Sequence, residues 1–343
     1  MGPTFAKPVL SRSVGRMDIA DRLRLDVPVG QAGMGGGIAR APLAAAVANA
    51  GGLGTLGIAT AGQLRASIDE VRERAPGRAV AVNLLMPFVR RHHVAVCVDA
   101  RVDAVVLAFG EKRGLVSHLR EAGIFVFVMV GTAAQARAAI AWGADALIAQ
   151  GREAGGHLVG TMPALDFLPH ALTAAGPRPV FLAGGIATAA DTRAALDAGA
   201  GGVIAGTRFL LTHEANASSE YQRRVLKAEK TIETNLFGLS WPLRHRVVPN
   251  AATRRWCGAD GKAKALPAAL NAASRPLSVL GYFDAGALMR LQSPGRPFFT
   301  PLAPVAGVPD SWLDGAALYA GETALRIGEL TSAAQAVKDL TPR

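Results

Sequence analysis

Short apolar runs alternate, through the first two thirds of the chain, with longer stretches whose apolar residues recur at helical spacing. The runs lie at 27–32, 53–57, 79–86, 104–109, 124–130, 146–150, 179–183 and 202–205. Continuous rather than alternating hydrophobicity suits strands buried on both faces of a parallel sheet. Between them 42–50, 61–74, 116–122, 133–142 and 189–198 read as helices, several followed by a glycine that turns the chain out (Gly51, Gly123, Gly143, Gly199). Eight strands alternating with helices predict an α/β fold, a (β/α)8 TIM barrel whose active site gathers at the C-terminal strand ends. An open doubly wound sheet is the competing topology.

The alternation stops after Gly206-Thr207-Arg208-Phe209. A polar helical stretch (219–229) follows, then Trp241-Pro242, Pro249 and Trp256, more alanine-rich helix, and a proline-laden run at 294–309. The last segment, 316–340, returns to an amphipathic pattern and is expected to close the barrel as its eighth helix. The expected organisation is a barrel from 1–215 plus 315–343, with 216–314 inserted as a smaller, mainly helical cap over the catalytic face. At 343 residues the chain exceeds the ~250 of a bare barrel by about the size of that insertion.

Half of the residues are hydrophobic and 18% are charged, which is ample material for a core. No apolar run approaches the ~18–20 residues of a membrane span. The first residues, with Lys7, Arg12 and Arg16, lack the apolar stretch of a signal peptide. Cys97 and Cys257 stand far apart and in no ligand spacing, so a reducing cytoplasm is expected, with neither disulfide nor structural metal. The net charge of +11 is scattered from Arg12 to Arg343, densest at Arg223-Arg224 and Arg244–Arg255, with only 6% aromatics. A nucleic-acid binder would concentrate its charge and interleave aromatics. A solvated basic surface, or steering of anionic substrates, accounts for the charge instead.

Candidate chemistry centres on Ala149–His157 (AQGREAGGH), where a buried strand ends in Gln150 and a glycine-rich loop delivers one histidine. Gly155 and Gly156 let backbone approach a ligand closely, and His157 beside them can exchange protons near neutral pH. Gly184 and Gly185 leave the seventh strand of the repeat, and Gly206 and Thr207 the eighth. Loops at those two places often hold a phosphate in such barrels, on backbone N–H groups. The loop Gly33-Met34-Gly35-Gly36-Gly37 is no dinucleotide fingerprint, because Ile38 stands where the third glycine belongs and no acidic residue ends the second strand. It reads instead as backbone lying against a flat ring. Asn83 is the polar exception in the apolar strand 81–85, a satisfied core amide unless a polar heterocycle sits at the barrel mouth. Glu153 is assigned to loop solvation or a salt bridge with Arg152 rather than to acid catalysis. His92, His93 and His118 read as surface residues, and His170, His213 and His245 lack partners at metal-ligand spacing. Tyr282 and Tyr319 are expected to reach the site, while Leu158, Trp241, Trp256, Phe298 and Phe299 are expected to shape the pocket.

Several strings, in order, resemble the nitronate monooxygenase family, FMN-dependent barrels that also include FMN-type enoyl-acyl-carrier-protein reductases. They are Gln31-Ala32-Gly33-Met34, 46–54 (AVANAGGLG), 81–84 (AVNL), 150–157 (QGREAGGH), 183–186 (AGGI) and 206–209 (GTRF). The resemblance covers about 28–210 and is loose over 216–314. It implies FMN as the cofactor, with Gly33 and Met34 along the flavin edge, Asn83 and Gln150 bonding its polar atoms, and Gly155 and Gly156 passing beside the ring. Gly184, Gly185, Gly206 and Thr207 would hold the phosphate. His157 would face the reactive side of the flavin as base or hydrogen-bond donor. Ala32-Gly33-Met34 and Leu158 depart from the family's commoner residues, which touches substrate choice more than flavin binding.

The resemblance implies oxidation of an alkyl nitronate, such as propionate 3-nitronate, with O2 as co-substrate. A base poised near pH 7 would remove the acidic proton of a nitroalkane, and an imidazolium would stabilise the anion. The alternative is an NAD(P)H-dependent reductase of enoyl thioesters or quinones, in which His157 polarises a carbonyl. A flavin-binding barrel without catalysis is the third reading. No nucleic acid or membrane partner is expected, and oligomeric state stays open, a homodimer included.

Overall fold

The computed structural model describes residues 19–110, 113–276 and 289–343. Eight parallel strands form the barrel: β1 (Val29–Gln31), β2 (Thr55–Leu56), β3 (Ala81–Leu85), β4 (Ala104–Ala108), β5 (Phe125–Val130), β6 (Ala146–Gln150), β8 (Val180–Ala183) and β9 (Gly202–Ala205). The intervening β7 (Gly156–His157) belongs to a separate sheet. Neighbours pair in chain order from β2 round to β9, and β9 pairs back onto β1. Gly30 bridges Leu53, whose N–H donates to the Val29 carbonyl and whose carbonyl accepts from the Gln31 N–H, both at 2.9 Å. Those bonds join the two ends of the sheet, so the doubly wound alternative is excluded and all eight expected strands stand.

The period of two along each strand sorts the residues into two cores. Ala81, Ala104, Val106, Phe127, Ala146, Ile148, Phe181 and Ile204 fill the barrel interior. Their neighbours Val82, Leu84, Val105, Leu107, Val126, Val128, Leu147 and Leu182 pack outward against the helices. Large and small alternate inside: the Phe127 and Phe181 rings meet edge to face at 5.5 Å, and a Cβ on Gly202 would lie 2.5 Å from the Phe181 ring. The barrel is a packed core, so ligand space exists only at its mouth.

Two helices differ from expectation. Ala164–Ala175 was hidden by Pro169, which sits inside it. Of 316–340 only Ala333–Leu340 is α-helix, preceded by a 3-10 turn at Glu322–Arg326. Gly321 and Gly328 break the period, and Ser332 restarts it by accepting from the Gln335 N–H at 3.1 Å. The short helix does pack between Ala41–Asn49 and Ala189–Asp197, the place of an eighth barrel helix. His93 is buried rather than exposed, because its Nδ1 accepts from the Arg90 N–H at 3.0 Å at the start of its helix.

Within 216–314 lie the helices Ser219–Leu226, Ala251–Trp256 and Ala265–Ala273, together with two strands, β10 (Ile232–Thr234) and β11 (His245–Val247). These strands pair antiparallel, and β11 pairs in turn with β7, setting His245 opposite His157 and Arg246 opposite Gly156. Three-residue strands are too short to leave a readable alternation. This small sheet ties residues 232–247 to the histidine loop of the barrel. The described residues include no helix long and apolar enough to cross a membrane.

Candidate active site

A cavity of about 550 Å³ opens over the C-terminal ends of the barrel strands. Every residue that the sequence pointed to for catalysis or cofactor binding lines it: Gly33, Met34, Asn83, Gln150, Gly155, Gly156, His157, Gly184, Gly185, Gly206 and Thr207. The volume falls in the range of small-molecule sites.

One wall is bare backbone. A Cβ on Gly33 would overlap Asn83 and sit 2.9 Å from the Thr55 side chain, so only glycine permits this approach. Asn83 Nδ2 donates to the Gly33 carbonyl at 2.7 Å, while its Oδ1 is buried with no hydrogen-bond partner. A buried acceptor left unpaired costs about 1–3 kcal/mol, which a ligand N–H would recover. Gln150 is placed differently from the simplest expectation. Its Nε2 donates to the His157 carbonyl at 3.1 Å and its Oε1 accepts from the Val159 N–H at 2.7 Å, so it holds the histidine loop from within the barrel.

Opposite lie the two loops after β8 and β9. Gly184 and Gly185 have φ of +105° and +77°, the left-handed region that glycine enters without penalty. The Thr207 hydroxyl accepts from the Gly321 N–H at 2.9 Å, which leaves its own proton available to a ligand. Arg326 donates to the Gly185 carbonyl and pairs with Asp191 at 2.9 Å, bringing positive charge against this loop. The cationic side chain of the Gly-Thr-Arg-Phe string is spent elsewhere: Arg208 is buried and donates to the carbonyls of Leu211 and Glu329.

His157 stands between the walls, inside an aromatic cage. The Trp241 ring stacks on it at 3.7 Å and 17°, Tyr319 lies at 5.4 Å, and Phe109 approaches edge-on at 6.1 Å. The His245 ring is 5.1 Å away. Burial, and secondarily His245, holds the His157 pKa well below the ordinary imidazole value. Against the sequence-based expectation of a base poised near pH 7, burial favours the neutral form of this imidazole, and its Nε2 is buried without a partner. Among the described residues no lysine or arginine lines the cavity.

Other expectations divide. Tyr319 reaches the cavity, but Tyr282 lies outside the described residues. Trp241 and Phe298 line the cavity, whereas Leu158 does not, Phe299 is core, and Trp256 donates Nε1–H to the Pro294 carbonyl at 2.9 Å. Glu153 neither solvates its loop nor pairs with Arg152. Both of its oxygens accept from the Ala164 N–H at 3.0 Å, capping the helix that begins there, while Arg152 faces Glu233. Sequence reasoning missed His245, which donates from Nδ1 to the Leu243 carbonyl (2.9 Å) because its Nε2 accepts from the Phe237 N–H. Only the β7–β11 pairing reveals it, and nothing local to 243–247 announces that register.

Comparison with known proteins agrees with this architecture. The nitronate monooxygenase family profile matches residues 18–91 and 75–343. The chain is 38% identical over 218 residues to a 5-hydroxy-7a-methyl-1-oxo-octahydro-1H-indene-4-carboxyl-CoA dehydrogenase of Mycobacterium tuberculosis, covering 62% of this chain. The match spans 61% of that relative's length. A nitronate monooxygenase of Pseudomonas aeruginosa is 34% identical over 266 residues, covering 62% of this chain and 74% of the relative. Among solved structures, FabK from Thermotoga maritima gives a TM-score of 0.73 at 26% identity, with 95% of each chain covered. A nitroalkane oxidase from Streptomyces ansochromogenes gives 0.74 at 28% identity, with 94% of this chain and 96% of that one covered. A closed eight-stranded barrel, a glycine-walled cavity with a histidine at its mouth, and a profile match over nearly the whole length agree: the chain belongs to the nitronate monooxygenase family, whose members are flavin-dependent oxidoreductases.

Proposed function

We propose that this chain is an FMN-dependent oxidoreductase acting on an apolar substrate at a carbon conjugated to a carbonyl, as in an enoyl thioester, with NAD(P)H as reductant. The observation that carries this reading is the cage around His157: a neutral imidazole among aromatic rings, in a cavity that no lysine or arginine lines among the described residues. A small anion placed against His157 would lose its hydration and, among the described residues, meet no lysine or arginine lining the cavity, which is costly beside aromatic rings. A neutral N–H, in contrast, suits a carbonyl oxygen that becomes negative only as the reaction proceeds.

The residues present fit FMN. Asn83 Oδ1 awaits a donor, Gly33 and Gly155 line the cavity without side chains of their own, and Gly185, Gly206 and Thr207, with Arg326 close by, would hold a phosphate. When bound, FMN would supply the hydride chemistry. His157, in the Nε2–H tautomer, then orients the carbonyl and stabilises its developing charge, while Gln150 fixes the loop that presents it. Segment 216–314 serves as the cap: Leu239, Trp241, Phe298 and Thr300 wall the cavity and exclude water.

Oxidation of nitronates with O2 is the second reading, favoured by the family itself and by the nitroalkane oxidase structure. Anaerobic mixing decides. NADH or NADPH is expected to bleach the flavin and crotonyl-CoA to restore it, with propionate 3-nitronate causing no change. Bleaching by the nitronate alone, with the nucleotides inert, would overturn the first reading in favour of the second.

The phosphate assignment has its own check. A Cβ on Gly185 meets nothing within 4 Å, although φ of +77° strains any side chain placed there. Gly185→Val is expected to weaken FMN binding about tenfold, the value of ~1.4 kcal/mol, with circular dichroism unchanged. Wild-type affinity by fluorescence titration would place the phosphate elsewhere.

A further inference from the structure

One face of the His157 ring is covered. Trp241 lies on the imidazole in a face-to-face stack at 3.7 Å, and both rings carry a polar atom, His157 Nε2 and Trp241 Nε1, that is buried with no hydrogen-bond partner. Phe88 and Phe109 hold the indole edge-on at 5.2 and 5.0 Å. Two unpaired polar atoms in one stack are unusual in a native interior and call for a second state or a ligand that satisfies them. The backbone beneath the indole differs from an ordinary core position. Trp241 belongs to a tight turn, its N–H donating to the Gly238 carbonyl, and the preceding Ser240 has φ of +62°, disfavoured for any residue with a side chain.

We propose that Trp241 is a displaceable cover on His157: the planar reacting group of the substrate takes the place of the indole against the imidazole, and the turn at 238–242 moves to release it. Substrate size and planarity are then selected by how well they replace an indole. The inference rests on His157 being the working group of the site, and is indifferent to whether a thioester or a nitronate is the substrate. An aromatic ring of matching shape keeps water off the imidazole until a ligand arrives, which preserves the dry environment that neutral hydrogen bonding requires.

Two measurements on the FMN-loaded enzyme test it. Diethyl pyrocarbonate modifies neutral, accessible imidazoles, and modification at each histidine is read by peptide mass spectrometry. Trp241→Ala is expected to react at His157 at least about tenfold faster than wild type, as expected for a site freed from a closed conformation. His245, whose two nitrogens are both bonded, is expected to stay slow. Trp241→Phe, which keeps a stacking ring, is expected to stay near wild type. An unchanged rate at His157, or an equal rise at His245, overturns the proposal. In the second measurement the enzyme carries 5-fluorotryptophan, with the Trp241 resonance identified by its loss in Trp241→Phe. Whichever of crotonyl-CoA and propionate 3-nitronate perturbs the flavin spectrum is expected to move that resonance and leave Trp142, Trp256 and Trp312 in place. A probe that alters the flavin while the Trp241 resonance stands still overturns the cover. If neither probe touches the flavin, the substrate assignments fail, and the pyrocarbonate result still judges the cover alone.

Discussion

His157→Ala is expected to slow turnover about 10²–10³-fold, the usual loss when one donor to a developing oxyanion is removed, with FMN content and circular dichroism unchanged. The fold should tolerate the change because the loop is held by backbone: the His157 carbonyl accepts from Gln150, and Leu158 N–H donates to the Arg244 carbonyl. His157→Asn keeps an N–H donor on a shorter side chain and should recover part of the loss. The pH dependence separates donor from base. With the pKa of His157 held well below 6.5, its neutral form prevails across pH 6.5–8, and kcat/KM should show no His157 limb there. If instead the profile of the wild type carries a limb near pH 7 that vanishes in His157→Asn, a base assignment replaces the donor. Under a base mechanism the variant would also lose neutral nitroalkane turnover far more than preformed nitronate turnover, since the latter needs no deprotonation.

The barrel was legible because its strands are buried on both faces. Val105-Val106-Leu107 is apolar throughout, Val106 facing the interior and its neighbours the helices, so the run is visible without knowing which residue points where. The glycines were legible for a related reason. Positions such as Gly33 and Gly155, where atoms of another segment come within the space of a side chain, leave no alternative residue and appear as conspicuous strings. The insertion offers neither signal. The β10–β11–β7 sheet uses two- and three-residue strands, and its register is set by contacts across some ninety residues of chain, between His157 and His245. That register brings Trp241 and His245 onto His157, so the burial that lowers its pKa is non-local. A solvated histidine beside a glycine pair does titrate near neutrality. What changes the outcome is the Trp241 ring and the second imidazole, and both come from the segment 216–314. The same non-locality decided Glu153, whose partner is the start of a helix that Pro169 had concealed.

The second large effect is on stability in acid. His245 is fully buried, and burial lowers its pKa from 6.5 to about 4. Below pH 6.5 the unfolded chain takes up a proton that the folded protein refuses, so stability is intact above that pH and is lost as pH falls toward 4. At 1.36 kcal/mol per pKa unit, His245 alone accounts for a loss of about 3 kcal/mol. His157 and His93, both lowered chiefly by burial, act in the same direction. Carboxylates add to the fall only at its acid end, as pH drops through the ordinary carboxylate range. Glu220, held at about 2 by Arg223 and Arg224, and Asp191, lowered where Arg326 bonds it, are protonated only in stronger acid. Urea unfolding followed by circular dichroism at pH 7.5, 5.5 and 4.5 should therefore show a steep fall in wild type. His245→Gln, which removes the titrating group and retains an acceptor for the Phe237 N–H, should be less stable at pH 7.5 yet lose markedly less on acidification. Parallel slopes for the two proteins between pH 6.5 and 4.5 would mean that His245 takes up its proton within the folded state. The aromatic cage would then be wet, and His157 would no longer be confined to the neutral form on which carbonyl activation depends.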